Sequence, residues 1–239
     1  MARGENSRSE GLVLKGRTRE KYDDQWAVQD ADSAARRRKN LSMVSDPLLG
    51  MVQPLKGKTV VDLGIGTGSL AFRAMELSPP ARMIGIDFSY PGLCISRVIA
   101  DDSRFKGIDF EVVLGDLERL PVASRSVDAV ISQATFNLLP DKGAAMKEIA
   151  RVTRPGGRVA ISDSFRTSKQ CASGSWEQCI AGAVTVSEFS THALDAGLII
   201  SGQVDLTQQV RHMVVGGHWD WPGFMEHNMD YRAVLMMRS

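Results

Sequence analysis

The chain has 239 residues, enough for one sizeable α/β domain or two small ones. Lys and Arg number 29 against 28 for Asp and Glu, so a net charge of +1 gives no electrostatic case for nucleic acid or an anionic membrane as partner. Hydrophobic residues at 43% and charged residues at 24% describe a folded chain rather than a disordered one. No apolar run approaches the roughly 18–20 residues of a membrane span. The opening stretch, MARGENSRSEGLVLKGRTRE, is polar and lacks the apolar core of a secretory signal. Three cysteines (Cys94, Cys171, Cys179) are no disulfide framework, so the expected compartment is a reducing cytoplasm, with a monomer or homodimer as the expected assembly.

In chain order, residues 1–18 show no periodicity and read as a flexible tail. From about Arg19 to Leu55 a patchy helical pattern places Tyr22, Trp26 and Ala27 on one face. This region contains the run Arg36-Arg37-Arg38-Lys39, readable as a solvated face or as an electropositive wall over an anionic ligand. Asp46-Pro47 reads as the N-cap and first position of a new helix, with Leu48, Leu49, Met51 and Val52 as its apolar face. Beyond Lys58 short strands alternate with helices. Strands are expected at Thr59–Leu63, Arg82–Asp87, Phe110–Leu114, Val127–Ser132 and Arg158–Asp163, each rich in Val, Ile or Leu as in strands buried on both faces. Helices are expected at Ser69–Leu77, Pro91–Ala100 and Lys142–Val152, the last stopped by Pro155-Gly156-Gly157. A further helix, Ser187–Ala196, and strands at Leu198–Leu206 and Tyr231–Arg238 complete the pattern. Such alternation means right-handed βαβ units and a mostly parallel sheet: a Rossmann-like α/β fold with helices on both faces, in a single domain over residues 19–239. Residues 19–55 would form a helical lid, and residues 164–190 and 207–230 the acceptor-pocket segments.

The most informative stretch is Val61-Asp62-Leu63-Gly64-Ile65-Gly66-Thr67-Gly68. A strand feeds a loop with alternate glycines and a helix follows, so backbone can approach a ligand and the helix start offers free N–H groups. A tight turn with incidental glycines is the plainer alternative. The dinucleotide fingerprint would need a third spaced glycine at position 69, where Ser69 stands, which disfavours NAD. Asp87 ends the second strand, 19 residues after Gly68, where a carboxylate can accept from both hydroxyls of a ribose. Asp116 ends the third, placed to accept from an exocyclic amine, although an Asp there can simply cap a turn. A glycine loop, a ribose acid and an adenine acid on the C-terminal edge of one sheet describe a site for an adenosyl group without a pyrophosphate. S-adenosylmethionine fits that description.

Asp62-Leu63-Gly64-x-Gly66-x-Gly68, Gly85-Ile86-Asp87, Gly115-Asp116, Leu120-Pro121-Val122 with Ser126-Val127-Asp128, and Arg151 to Arg158 together resemble the class I S-adenosylmethionine-dependent methyltransferases. The resemblance covers about Thr59 to Asp163 and implies a seven-stranded sheet with an antiparallel last strand, and methyl transfer as the reaction. It implies that Asp62 and the Gly64, Gly66 and Gly68 backbone hold the methionyl end, Asp87 the ribose, and Asp116 with Leu117 the adenine. Phe88 and Gln133 are placed with them at the cofactor. A narrower likeness is to arsenite methyltransferases, on Ile131-Ser132-Gln133-Ala134-Thr135-Phe136-Asn137-Leu138-Leu139-Pro140-Asp141-Lys142 and on Trp176-Glu177-Gln178-Cys179-Ile180-Ala181-Gly182-Ala183. In that family each segment supplies a cysteine that grips As(III). Cys179 matches the second, whereas Ala134 stands at the first, and Cys171 is the candidate to replace it.

The methyl acceptor is not written in the cofactor motifs. A soft nucleophile (trivalent arsenic or a thiol), a carbon or oxygen atom of a quinone-like or natural-product molecule, and a module that binds the cofactor without transferring its methyl all stand open. The segment Arg211 to His227 carries Trp219, Trp221, Phe224, Met213 and Met225, a cover suited to an apolar or soft acceptor. Its histidines, His212, His218 and His227, are candidates for a general base or are surface and capping residues. Tyr22 and Trp26 would form the opposite wall. No metal site is expected.

Overall fold

A computed structural model describes residues 2–167, 175–219, 221–227 and 229–239, with the backbone alone for residues 2–8, 178 and 222. Seven strands form one sheet: β1 (Thr59–Leu63), β2 (Arg82–Asp87), β3 (Asp109–Leu114), β4 (Val127–Gln133), β5 (Thr153–Phe165), β6 (Leu198–Asp205) and β7 (Asp230–Arg238), in the order β3-β2-β1-β4-β5-β7-β6. The first five run parallel, and β7 enters antiparallel between β5 and β6. This is the Rossmann-like arrangement expected from the alternation of strands and helices, antiparallel last strand included.

Successive strand residues divide between two cores. Val60, Ile131 and Ala160 face one side, where α2 (Ala31–Val52), α3 (Ser69–Leu77), α4 (Tyr90–Ala100) and α7 (Thr207–Val215) contribute residues such as Leu48, Phe72, Leu93 and Met213. Val61, Val130 and Ile161 face the other, under α5 (Lys142–Val152) and α6 (Val186–Asp195). There Phe189 meets Phe136 and Phe165 edge-on at 5.0 and 5.5 Å. The period-two alternation of buried side chains thereby fixes strand register, and register fixes which strand ends share one edge.

Two expectations about the N-terminal region are corrected. The stretch expected as a tail is helical: α1 runs Ala2–Ala27. Leu12 and Val13 stay exposed and this first part of the helix docks through charge, Lys15 to Asp116 and Glu118 at 2.7 and 2.5 Å and Arg17 to Glu177 at 2.7 Å, so no apolar stripe announces it; the last turns dock through Tyr22 and the buried Trp26. Asp46-Pro47 begins no new helix but lies inside α2, which is started instead by a capping box between Asp30 and Ser33. Asp46 pairs with Arg73 at 2.7 Å, and burial of Val44, Leu48, Leu49 and Val52 carries the helix past the N–H that Pro47 lacks. Between β6 and β7, in the segment expected as a pocket wall, stand α7 and a short α8 (Pro222–Glu226).

Candidate active site

The glycine loop crosses the C-terminal edge of β1. Gly64 donates its N–H to the Ile86 carbonyl at 2.8 Å, and Gly68, left-handed at φ 84°, is the N-cap of α3 without any side-chain cap. At Gly64 (φ 74°) a Cβ would collide with Thr135, and at Gly68 with Phe72. The clearance expected for a ligand is therefore partly used by protein side chains. Gly66 differs, since the Trp26 ring of α1 lies 3.3 Å from where its Cβ would be. The loop is further fixed by Ser96, whose hydroxyl donates to the Gly66 carbonyl at 2.8 Å.

Asp87, buried at the end of β2, accepts from Gly66 N–H and Ser89 N–H, both at 2.8 Å. Burial raises its pKa against those two donors. Asp62, fully enclosed at the end of β1, is pushed up to about 8 by burial, with the charge of Asp87 adding to the effect. Neither carboxyl forms an ion pair among the described residues, which suits a ligand that brings positive charge. The Ser69 hydroxyl, at the first turn of α3, is buried without a hydrogen-bond partner.

A cavity of about 470 Å³ opens along this edge. Asp62, Gly64, Gly66, Asp87, Phe88, Gln133 and Cys179 line it together, as do Tyr22, Trp26, Trp219 and Trp221, the two walls expected from sequence. Asp116 and Leu117 do not line it. Asp116 accepts from Lys15 and from the Glu118 N–H, capping its own turn, and Leu117 is buried beside a small separate void. Gly68 acts through the backbone turn rather than in the lining. Cys171 lies outside the described residues. The three histidines His212, His218 and His227 are absent from the lining.

The β4–β5 side of the cavity is assembled by a buried polar knot. Asp163, at the end of β5, accepts from the Asn137 N–H and side-chain amide at 3.0 and 2.9 Å and from the Ser164 N–H at 2.8 Å. Burial still lifts it to about 6. Lys142, lowered to about 8 by burial, donates to the Leu139 carbonyl at 2.9 Å. Gly182 is packed on the Asn137 carbonyl so tightly that any side chain would collide, which presses the Cys179 segment onto the segment after β4. Cys179 and Ala134 are consequently neighbours: the sulfur is 3.7 Å from the Ala134 carbonyl, and both residues are left-handed, at φ 63° and 54°. Burial holds the Cys179 thiol well above its ordinary pKa, so it is a thiol and not a thiolate. Among the described residues no cluster of metal-ligating side chains occurs.

Sequence reasoning missed Gln25, Leu41 and Thr135 as cavity residues, and had Arg37 only within a run readable as a solvated face or an electropositive wall. Arg37, Leu41 and Ser45 lie four residues apart on one face of α2, and the Ser45 hydroxyl donates to Gln133 Oε1 at 2.7 Å. Only that spacing could have marked them.

A family model described as a methyltransferase domain matches residues 54–213. The arsenite methyltransferase of Halobacterium salinarum is 37% identical over 147 residues, covering 59% of this chain and 37% of that protein. The demethylmenaquinone methyltransferase of Thermus thermophilus is 35% identical over 104 residues, covering 44% of this chain and 46% of its own. The matches thus span less than half the length of these two relatives. A crystal structure of geranyl diphosphate C-methyltransferase from Streptomyces coelicolor, holding S-adenosyl-L-homocysteine, superposes with a TM-score of 0.68 at 16% identity, over 82% of this chain and 78% of that one. With the fold, the glycine loop and the family match in agreement, the chain belongs to the class I S-adenosylmethionine-dependent methyltransferases.

Proposed function

We propose that this protein transfers the methyl group of S-adenosylmethionine to a small organic acceptor with an apolar body. The observation that carries this reading is a single cavity shared by the glycine loop with Asp62 and Asp87 on one side and by Tyr22, Leu138, Trp219 and Trp221 on the other. Asp62 and the loop backbone would hold the methionyl end, and Asp87 the ribose, with Phe88 and Gln133 beside them. Asp116 would reach the adenine only by exchanging its contact with Lys15, and Leu117 would support that end from the core. S-adenosylmethionine supplies an activated methyl, the carbon–sulfur electron pair returning to sulfur as the acceptor's pair takes the carbon. The remaining work falls to the chain: Trp26 and Tyr22 close over the loop, the tryptophans exclude water, and the rigid β4 and β5 ends fix the direction of approach. The names of the similar proteins, which include a quinone-precursor and a prenyl-diphosphate methyltransferase, agree with an apolar organic acceptor.

A second reading, a soft acceptor such as As(III) or a thiol, draws on Cys179 in the cavity and on the likeness to the arsenite enzyme. It is weakened by Ala134, which leaves Cys179 as the one thiol in the lining among the described residues, and by the burial that holds that thiol protonated. Mass spectrometry decides between the two. The protein is incubated with S-adenosylmethionine and, separately, quinols, phenols, aromatic acids, and arsenite with glutathione. A methylated organic product that survives Cys179→Ser is expected. Methylated arsenic, lost in that variant, would replace the first reading with the second. Cofactor binding with no product from any acceptor would favour a binding module.

A further inference from the structure

Gly11, Lys15, Thr18, Tyr22 and Trp26 share one face of α1, spaced three or four residues apart. That face rests on several separate segments of the sheet edge. A Cβ on Gly11 would lie 3.5 Å from the Cβ of Pro140, after β4. Lys15 holds Asp116 and Glu118, after β3. Tyr22 lines the cavity, and the Trp26 ring lies against Gly66, after β1, and Gly92 of α4. From the flanks of the helix, Asp23 accepts from the hydroxyl of Ser89, after β2, at 2.7 Å, Arg17 pairs with Glu177 at 2.7 Å, and Lys21 donates to the Glu177 carbonyl at 2.6 Å. One helix therefore straddles the cavity, with α4 under one side and the Trp176–Gln178 turn under the other.

Two of these contacts bracket the place of an adenosyl group. Asp23 stands over the end of β2, beside the Asp87 turn, and Lys15 over the end of β3, on Asp116. Those two positions are about 12 Å apart along the helix axis, so a ligand reaching from one carboxylate to the other passes under α1. Both oxygens of Asp116 are already engaged by the chain: Oδ1 accepts from the Glu118 N–H at 3.0 Å and Oδ2 from Lys15 at 2.7 Å. Lys15 is held a second time by Glu118, whose other oxygen accepts from the Asp141 N–H at 2.8 Å and so ties the contact to the start of α5. These ion pairs are partly exposed, hence individually weak and screened by salt. They can bias the position of α1 without locking it.

We propose that Lys15 is an autoinhibitory latch: with α1 down, its ammonium occupies the carboxylate that an adenine amine would use, and the cofactor enters or leaves only when the Lys15 end of α1 lifts. This rests on the methyl-transfer reading above. Residues 28–30, which join α1 to α2, are the hinge. Trp26 lies next to that hinge and Lys15 about three turns away, so the latch end travels furthest while the Trp26 end stays near the glycine loop. Once the adenine amine has taken Asp116, Lys15 keeps Glu118 as its partner, and α1 settles back over the bound molecule with Lys21, Tyr22, Gln25 and Trp26 as its cover.

Uptake and release of S-adenosylhomocysteine, followed by stopped-flow tryptophan fluorescence with calorimetry for affinity, test the latch. Lys15→Gln should take the ligand up faster and bind it about two- to fivefold more tightly than wild type, the ratio that corresponds to an exposed ion pair. Lys15→Arg should behave as wild type, and so should Arg36→Gln, which removes an exposed cation away from the latch. Added salt should speed uptake in wild type and do so less in Lys15→Gln. A staple gives the second arm: the Cβ separation at Gly11 and Pro140 suits a disulfide between Gly11→Cys and Pro140→Cys. The oxidised double variant should exchange S-adenosylhomocysteine at least about tenfold more slowly than the same protein after dithiothreitol, because the lid cannot lift. Equal exchange in the oxidised and reduced forms, or a Lys15→Gln variant that binds no faster and no tighter than wild type, overturns the latch and leaves the cofactor reading standing. Absence of binding in wild type, Lys15→Gln and the reduced double variant alike overturns both.

Discussion

Along the β1–β3 half of the sheet edge, the cavity wall is nearly continuous backbone, Asp62 to Ser69, answered by one carboxylate at the end of the neighbouring strand. Along the β4–β7 half, the same cavity is walled by single side chains from α1, α2, the end of β4, the Cys179 turn and the segment after α7. The first wall is made of hydrogen bonds and positive-φ glycines, and tolerates few other residues. The second depends on how separate elements pack, and its chemistry can change one side chain at a time. Ala134 shows this: it sits against Cys179 in a left-handed turn, yet offers a methyl where the similar family has a thiol.

That contrast can be broken from either side. The largest effect is expected at Trp221, 5% exposed and packed against Trp219, Phe224 and Tyr231 at 4.8, 5.1 and 6.0 Å. Trp221→Ala should cost about 3–5 kcal/mol of stability in urea unfolding. In whatever protein remains folded, S-adenosylhomocysteine affinity should fall by no more than about threefold if the two walls are separate. Gly64→Ala comes next. Its Cβ would meet Thr135 at φ 74°, so a loss of about 2–3 kcal/mol is expected, together with weakened cofactor binding, read by calorimetry. Comparable losses of cofactor affinity in both variants would erase the distinction.

A smaller effect concerns pH. The pKa of Asp62 is raised to about 8, and that of Asp163 to about 6, above the ordinary carboxylate value, so the folded state holds protons that the unfolded chain releases. Their contribution to stability is complete below the unfolded pKa and is lost as pH rises through about 6 and then about 8. The melting temperature of the unliganded protein should therefore fall from pH 5 to pH 9, by less in Asp62→Asn, a shift that differential scanning fluorimetry would read. If Asp62 holds the ammonium of S-adenosylhomocysteine as proposed, affinity for that ligand should rise across the upper part of the same range and flatten in Asp62→Asn. The smallest effect is expected at Lys15→Gln. Its ion pairs with Asp116 and Glu118 are partly exposed, so stability should change by less than about 1 kcal/mol.

How much of this the sequence disclosed follows the same division. The strands, the glycine loop and Asp87 are local patterns: short apolar runs and a fixed spacing within one βαβ unit. Structure moved their boundaries by a few residues, except that β5 begins five residues early, at Thr153. The first part of α1 was hidden because charge pairs hold it, and charge pairs leave no periodicity. Arg37 was visible only as one of four cations, since choosing the inward one requires the rotation of α2 about its axis. Asp116 carries the opposite lesson. A carboxylate at the right strand end meets Lys15 from an element 101 residues away, which no motif encodes.

Calorimetric titration of the purified protein with S-adenosylhomocysteine, wild type beside Asp87→Ala, reaches the central claim most directly. One saturable site per chain is predicted, weakened in the variant by at least about tenfold, because the buried carboxylate that accepts from Gly66 and Ser89 also faces the cavity. Absence of saturable binding in wild type, or equal affinity in a folded Asp87→Ala, would contradict the cofactor site at the β1–β2 edge.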